Sequence, residues 1–296
     1  MKLTTRQKEA LDGYLFISPW IIGFIIFVLG PMIMALVLSF YNWEIVRDPS
    51  FVGLRNYARL ASDPLVWKSL LNTVYYTVIG VPLRICLALC LAVLLNHPGF
   101  LTNVFRMVFY LPSITSGVAV AVVWTWLYEP YFGVINSLLR VVGIDGPGWL
   151  SSPDWAMPAL IIMGLVYIGQ PMVVFIAGLK GIPPELYEAS SLDGATWWRQ
   201  FVNITIPMLS PTIFFNLIMQ LIASFQVFTN AYVMTEGGPV NATLVYVLYL
   251  YQNAFLWLRM GYGAALAWLL FAIVFVLTYI QFKNSGWVHY EGMGGN

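Results

Sequence analysis

Charged residues are scarce in this sequence. Only 9% of its 296 residues are Asp, Glu, Lys or Arg, whereas 60% are hydrophobic. Soluble domains carry about 25% charged residues, so this composition excludes a soluble globular protein. The formal net charge of +1 excludes the strongly basic surface of a nucleic-acid-binding protein. The composition therefore predicts an α-helical protein that crosses a membrane several times.

Residues that carry catalytic or metal chemistry are also rare. No Gly-Lys pair occurs, so the phosphate-binding loop of a nucleotide hydrolase is absent from the sequence. His97 and His289 are the only histidines, and neither belongs to a His-Glu-x-x-His or Cys-His pattern. Cys86 and Cys90 lie inside an apolar run and are interpreted as packing residues. We therefore expect neither an enzyme nor a cofactor in this chain.

Six long apolar segments predict six transmembrane helices. No charge occurs from Gly13 to Trp43, a run too long for a signal-peptide core, so the first segment is predicted to be a retained span. The predicted spans cover residues of about 14–40, 70–95, 107–128, 155–179, 208–235 and 260–282 of one transmembrane domain, residues 1–296. Six spans place both termini on the same side of the membrane.

The orientation depends on the basic N-terminus, because positive flanking charge favours the cytoplasmic side. The other loops give almost no bias, with seven Lys and Arg residues predicted inside and six outside. The inside set is Lys2, Arg6, Lys8, Arg106, Lys180, Arg199 and Lys283, and the outside set is Arg47, Arg55, Arg59, Lys68, Arg140 and Arg259. We predict that both termini are cytoplasmic.

The segment between the predicted fourth and fifth spans, residues 182–206, is polar. Pro184 suits the first turn of a helix, and Glu188 lies near the positive N-terminal end of that helix. Gly194 permits the positive φ of a tight turn, and Asp193 can cap the helix that follows. The segment therefore predicts a helix-turn-helix that is presented to a partner.

Several residues of this segment form a recognisable pattern. They are Glu188-Ala189, Asp193-Gly194-Ala195, Phe201, Ile204, Pro207 and Pro211. The pattern resembles the "EAA" cytoplasmic loop of membrane-spanning subunits in bacterial binding-protein-dependent ABC importers, in the maltose-permease-like branch that imports sugars and glycerol phosphate. Ser190 stands where that family usually has a second alanine. Phe51-Val52-Gly53-Leu54, Asn56-Tyr57 and Glu236-Gly237-Gly238-Pro239 extend the resemblance over nearly the whole chain.

The resemblance implies partners and a site of coupling. In that family the loop docks into a cleft on a separate ATPase subunit, which implies coupling residues Glu188, Ala189, Ser190, Asp193, Gly194 and Ala195. It also implies a second permease subunit, two ATPase subunits that bind ATP and magnesium, an external solute-binding protein, and a place in the bacterial inner membrane. The implied function is ATP-driven import of a sugar, in particular an oligosaccharide.

Two other functions remain open. The same architecture imports glycerol phosphate or another anionic solute in related proteins, and an ion-coupled secondary transporter is a candidate of another class. Ion-coupled transporters usually bind their ion through groups near the middle of the membrane. The predicted spans contain no carboxylate, which weighs against that class.

Polar residues on the fourth and fifth predicted spans indicate where a solute passes. Pro171 interrupts the fourth span and frees the carbonyl of Tyr167, which needs a cavity or a neighbouring helix. On a helical wheel of the fifth span, Asn216, Gln220, Ala223, Val227 and Asn230 share one stripe, with Ser224 and Gln226 at its edges. These amides line a path or only join helices by hydrogen bonds.

Solute contacts in the maltose-permease branch come from the same two spans. The resemblance places Gly169, Met172, Ser224 and Val227 at corresponding positions, where Met172 and Val227 replace more polar residues. Together with the polar neighbours, the predicted path consists of Gly169, Gln170, Met172, Gln220, Ser224, Gln226 and Val227.

Arg84 is the one charge in the middle of a predicted span. Related permeases commonly have a small or apolar residue there, so the resemblance does not explain it. We expect the guanidinium to bond to carbonyls or to the partner subunit. It either anchors the subunit interface or attracts an acidic substrate.

Overall fold

A computed structural model describes residues 5–45 and 48–288. Lys2, Arg47 and His289 lie outside the described residues. The predicted all-α membrane fold is confirmed, since helices make up most of the described chain. The described residues form two compact units, one of residues 5–63 and 250–272 without 46–47, and the other of residues 64–249 and 273–288.

The elements follow one another with few long loops. The first part of the chain contains α1 (Thr5–Phe24), a π-helical turn (Ile25–Leu29), α2 (Gly30–Leu38), strands β1 (Tyr41–Asn42) and β2 (Ser50–Phe51), α3 (Arg55–Ser62), α4 (Pro64–Leu94), α5 (Phe100–Ile114), α6 (Gly117–Leu127) and α7 (Val134–Val141). The second part contains α8 (Pro153–Gly164), a 3₁₀ turn (Leu165–Ile168), α9 (Gly169–Lys180), α10 (Pro184–Leu192), α11 (Trp197–Gln200), a π-helical turn (Phe201–Thr205), α12 (Ile206–Met208), α13 (Ser210–Phe225), α14 (Thr229–Thr235), α15 (Tyr246–Tyr251), a π-helical turn (Gln252–Leu256), α16 (Met260–Lys283) and a 3₁₀ turn (Ser285–Trp287).

Four helical segments of the described chain are long and apolar enough to cross a membrane. They are Asp12–Leu38, Pro64–Leu94, Pro153–Lys180 and Met260–Lys283, and they correspond to the predicted first, second, fourth and sixth spans. Two bent helix pairs, Phe100–Ile114 with Gly117–Leu127 and Trp197–Met208 with Ser210–Phe225, supply up to two more. The described residues therefore contain four spans, or up to six if each bent pair crosses once.

The third predicted span, 107–128, is not one helix. Helices α5 and α6 meet at an angle of 104°. Thr115 and Ser116 between them are extended, with ψ of 149° and 125°. Thr, Ser and Gly are weak helix formers, and the Thr115 hydroxyl donates to the carbonyl of Leu111 at 2.9 Å. The sequence Thr115-Ser116-Gly117 therefore supports a break that the hydrophobic pattern did not reveal.

The fifth predicted span, 208–235, is also interrupted. Helix α13 ends at Phe225, and α14 starts only at Thr229. On the other side, the Trp197–Met208 segment and α13 form an angle of 64° around Leu209. Pro211 explains the bend around Leu209, because proline has no N–H to donate to the carbonyl four residues earlier. No Pro or Gly marks the break after Phe225, so its position was not predictable from helix breakers.

In the first unit, Asn56 connects two elements. Its side-chain nitrogen donates to the carbonyl of Ser39 at 2.8 Å and to that of Tyr41 at 2.9 Å. The Tyr57 hydroxyl lies 2.7 Å from the Ser39 hydroxyl. The Asn56-Tyr57 motif on α3 therefore bonds both to the end of α2 and to β1. These contacts give the motif a structural role.

The core of the second unit is formed by α4, α9 and the start of α13. Ala88, Met172, Phe175 and Leu209 are completely buried in it. Gly169 allows α9 to approach α5 closely, since a Cβ at this position would lie 2.2 Å from the carbonyl oxygen of Phe109. Only glycine fits this contact, because the obstacle is backbone.

Candidate functional site

The polar segment 182–206 folds as two short helices around a turn. Pro184 occupies the first turn of α10, and Gly194 has a φ of +75° in the turn. The Ala195 N–H donates to the carbonyl of Ser190 at 2.9 Å and closes the end of α10. The expectation that Asp193 caps the next helix is wrong, because Thr196 is at that N-cap position and no side chain bonds there. We call residues 184–205 the elbow.

The side chain of Gln200 links the two arms of the elbow, which are α10 and the segment that begins with α11. The Gln200 amide nitrogen lies 3.0 Å from the Ser190 hydroxyl oxygen, 2.8 Å from that of Ser191 and 3.3 Å from the Tyr187 carbonyl oxygen. The Tyr187 hydroxyl is in turn 2.9 Å from the Thr205 hydroxyl. Ser190, which departs from the alanine usual in the resembling family, therefore takes part in holding the two helices of the elbow together.

The predicted coupling residues differ in exposure. Glu188, Ala189, Asp193 and Gly194 are exposed, whereas Ser190 and Ala195 are half-buried between the arms. Two aromatic side chains, Trp197 and Trp198, are 61% and 62% exposed beside them. The elbow thus presents carboxylates and aromatic rings on its outside, and its role in coupling stays a prediction.

A cavity of about 220 Å³ lies among the helices of the second unit. It is lined by Tyr76, Arg84, Ser113, Tyr167, Gln170, Gln220, Ala223, Ser224, Val227 and Asn230. Three helix interruptions reach it, through Ser113 before the α5–α6 break, Tyr167 in the 3₁₀ turn and Val227 after α13. Non-helical backbone is tolerated within a membrane where it borders a cavity or packs in protein, so the breaks and the cavity explain each other.

The cavity contains four of the seven residues of the predicted path. Gln170, Gln220, Ser224 and Val227 line it, although the break after Phe225 means that they do not share one continuous helix with Asn230. The other three lie elsewhere: Gly169 is buried against Phe109, Met172 is completely buried in the core, and Gln226 is exposed away from the lining.

Two lining residues, Tyr76 and Ser113, were missed by sequence reasoning, and Tyr167 was predicted to border a cavity only through its carbonyl. Tyr76 is two helical turns before Arg84 on α4, so the position of the charge already indicated its face. Tyr167 is the residue whose carbonyl Pro171 leaves free, and its φ of −88° and ψ of 20° mark the kink in this span. No group of three or more His, Cys, Asp or Glu residues in the described chain could hold a metal ion.

Arg84 is 6% exposed and bonds to side chains of this chain. Its Nη1 donates to Gln220 Oε1 at 3.3 Å, and its Nη2 donates to the Tyr76 hydroxyl at 2.5 Å. Within this chain the guanidinium therefore bonds to a side-chain amide oxygen and a phenol, and the expected bond to a partner subunit stays a prediction. Gly164 leaves room for this arrangement, since a Cβ there would lie 2.7 Å from Nη2.

Keeping this charge within the membrane opposes insertion by about 3 kcal/mol on translocon scales. Its two hydrogen-bond partners, Gln220 and Tyr76, are neutral, and each bond to a charged group contributes about 1.5–3 kcal/mol, which is comparable to that cost. The placement of Arg84 on a cavity, away from lipid, is the arrangement that such a charge requires.

Apolar helices that are broken around a polar cavity are typical of membrane transport proteins. The sequence confirms this class, because residues 84–284 match the family described as binding-protein-dependent transport system inner membrane component. The chain belongs to this family. It is therefore a multi-pass inner-membrane protein of a transport family.

Two relatives and one solved structure illustrate the similarity. The chain is 46% identical over 296 residues to the probable ABC transporter permease protein YesP of Bacillus subtilis (strain 168), covering 98% of this chain and 96% of that protein. It is 37% identical to the lactose transport system permease protein LacF of Rhizobium radiobacter over 285 residues, 94% of this chain and 95% of the relative. A chain of the bacterial alginate ABC transporter, crystallised with an alginate pentasaccharide-bound periplasmic protein, superimposes with a TM-score of 0.81 at 25% identity, covering 94% and 95% of the two chains.

Proposed function

We propose that this chain is the permease subunit of an ATP-driven importer of a sugar, in particular an oligosaccharide. The observation that carries the proposal is the cavity, whose lining combines side-chain amides and hydroxyls with two tyrosine rings. Binding sites for small polar molecules use a few placed polar groups among apolar and aromatic ones. The relatives support the same substrate class, since LacF is named for lactose and the similar solved structure is an alginate importer.

A single chain provides only part of the route. The cavity volume of about 220 Å³ is below the roughly 300–1,000 Å³ of sites that enclose a small ligand. A second permease subunit would complete the wall of the path. The proposed assembly also contains two ATPase subunits, which bind ATP and magnesium, and an external solute-binding protein. The similar alginate ABC transporter was crystallised with a periplasmic protein, which supports the external solute-binding protein of this assembly.

The elbow is the proposed contact with the ATPase. Its exposed Glu188 would pair with a basic group of that subunit, and its Gln200-centred hydrogen bonds would transmit movement between the arms. Coupling in this position requires the elbow to face the cytoplasm. The basic residues near the N-terminus support a cytoplasmic N-terminus, and an even number of spans would put the C-terminus on the same side.

The experiment that tests this function is uptake by the reconstituted complex. The complex is purified with its ATPase, placed in proteoliposomes, and given the binding protein encoded beside this chain together with the sugar that protein binds. We expect uptake only when ATP is enclosed with the ATPase, and we expect ionophores that collapse ion gradients to leave uptake unchanged.

The same preparation separates the alternatives. Uptake driven by an ion gradient without ATP would contradict the proposal and favour a secondary transporter. The proposal would also be contradicted if the chain were purified in a folded, lipid-bound form and no ATPase subunit co-purified with it. A variant of the ATPase that binds but does not hydrolyse ATP is the control, and it should abolish uptake.

A further inference from the structure

The charges around the cavity are unbalanced. Among the described residues that line it, Arg84 is the one cation and none is a carboxylate. A guanidinium has five N–H donors, and Arg84 uses two of them on Gln220 and Tyr76. Its Nε is buried and has no hydrogen-bond partner among the described residues. The positive charge therefore lacks an anion within the cavity wall that this chain provides.

Two hydroxyl groups of the same cavity are also unused. Ser113 Oγ and the Tyr167 hydroxyl are buried without a hydrogen-bond partner in the described part of the chain. Buried polar atoms in proteins nearly always have partners, so three such residues around one cavity call for a common explanation. A polar ligand that reaches all three would supply the missing partners.

We propose that Arg84 binds the carboxylate of an acidic sugar, so that the solute of this importer contains a uronic acid. This inference rests on the function proposed above and specifies its substrate. A carboxylate and a guanidinium form paired, charge-assisted hydrogen bonds of well-defined geometry. Ser113 and Tyr167 would then bond to the hydroxyls of the same sugar ring.

The charge of the anion distinguishes a carboxylate from a phosphate. A carboxylate carries one negative charge, which a single arginine neutralises. A phosphate monoester carries about 1.5–2 negative charges near pH 7, which would leave an uncompensated charge in a cavity with one cation. The part of the lining that this chain provides therefore favours a uronate over a sugar phosphate or glycerol phosphate.

The guanidinium is held in place before a solute arrives. The two hydrogen bonds orient it, and its central carbon lies 5.3 Å from the centre of the Tyr76 ring. A preorganised group loses less conformational entropy on binding. The arrangement thus suits recognition of a charged group and not only anchoring of a helix.

The first measurement identifies which ligand is bound by the external solute-binding protein of this complex. The probes are disaccharides that contain one glucuronate, galacturonate or mannuronate residue and one neutral sugar, their carboxyl-reduced neutral counterparts, and glycerol 3-phosphate. We expect a uronate disaccharide to bind, and we expect ATP-driven uptake by the whole complex to favour it over its neutral counterpart. In Arg84→Gln, uronate uptake per assembled complex should fall at least about tenfold, the loss that one charge-assisted bond implies.

Two further variants make the result specific. Lys68→Gln removes an exposed cation from the same helix and should keep the wild-type preference for the uronate. Arg84→Lys keeps the charge but lacks the planar guanidinium, so it should raise the half-saturation concentration for the uronate. This variant tests whether Arg84 binds the uronate even if Arg84→Gln fails to assemble.

Other outcomes would overturn the inference. A neutral sugar or glycerol 3-phosphate as the delivered and imported solute would refute the uronate while leaving an ATP-driven importer intact. Loss of assembled complex in both Arg84 variants, with unchanged uronate uptake per complex, would assign Arg84 to structure alone. Uptake that does not need ATP would instead refute the proposed function itself.

Discussion

Replacing Gly194 by valine is expected to uncouple ATP hydrolysis from transport or to prevent assembly with the ATPase. Gly194 has a φ of +75° at the bend of the elbow, a conformation that β-branched residues strongly disfavour. The strain amounts to about 1–3 kcal/mol, which corresponds to roughly 5- to 150-fold in a coupled equilibrium. We expect this loss in binding-protein-stimulated ATPase activity, measured on complexes purified through the permease chain.

A matched control separates coupling from general strain. Gly143 has a φ of +78°, and, as at Gly194, no atom lies within 4 Å of its ideal Cβ position. Gly143→Val therefore carries the same backbone strain in a loop outside the elbow and should keep nearly full stimulated activity. Gly194→Asn, which tolerates positive φ, should restore much of the activity. Wild-type assembly and stimulation in Gly194→Val would show that the elbow does not couple.

Gly169→Ala is expected to destabilise the transmembrane bundle strongly. The new Cβ would lie 2.2 Å from the Phe109 carbonyl oxygen and 2.7 Å from the Tyr110 Cα, so two helix backbones would have to separate. Overpacking against side chains costs about 1–3 kcal/mol, and backbone yields less readily. We expect the thermal unfolding midpoint of the purified complex to fall by about 5 °C or more.

Gly80→Ala is the appropriate control for this change. Gly80 is also buried in a helix, but its Cβ would meet its nearest atoms at 3.7 and 3.9 Å, which is ordinary contact. Alanine favours the helix by up to about 1 kcal/mol, so this variant should unfold at the same temperature or slightly higher. Equal unfolding temperatures for Gly169→Ala and the wild type would contradict the close approach of α9 to α5.

The sequence predicted the elements whose signals are local. Pro184 and Gly194 directly specify the start of a helix and a positive-φ turn, and the elbow has both. Long apolar runs predicted the four long membrane helices, because hydropathy depends on composition alone. The fold class followed from the same pattern.

The breaks within the third and fifth spans were not predictable in the same way. The residues around Val227 include no Pro or Gly that would mark a break, so their break depends on tertiary packing. For the same reason, the sequence predicted only part of the cavity. Gln220 and Ser224 are on one helix and share a face, whereas Tyr76 and Ser113 reach the cavity from helices whose packing only the structure provides.

Gly169 was predicted to lie on the solute path, but the structure gives it a role in helix packing. The resemblance placed it on the path of the solute. The structure buries it against the backbone of Phe109 and gives its place at the cavity to the neighbouring Gln170. A glycine is required at this position by packing, whether or not a solute passes nearby.

The central claim is that sugar crosses the membrane past this cavity, and blocking the cavity tests it most directly. Ala223 is an exposed lining residue, so Ala223→Cys, in a chain where the native Cys86 and Cys90 are replaced by alanine, offers one thiol there. Phe132→Cys, in an exposed loop, serves as the control. After reaction of each thiol with a bulky methanethiosulfonate, we predict that ATP-driven uptake falls at least about tenfold in Ala223→Cys and is retained in Phe132→Cys. Full uptake by the completely modified Ala223→Cys complex would contradict the account.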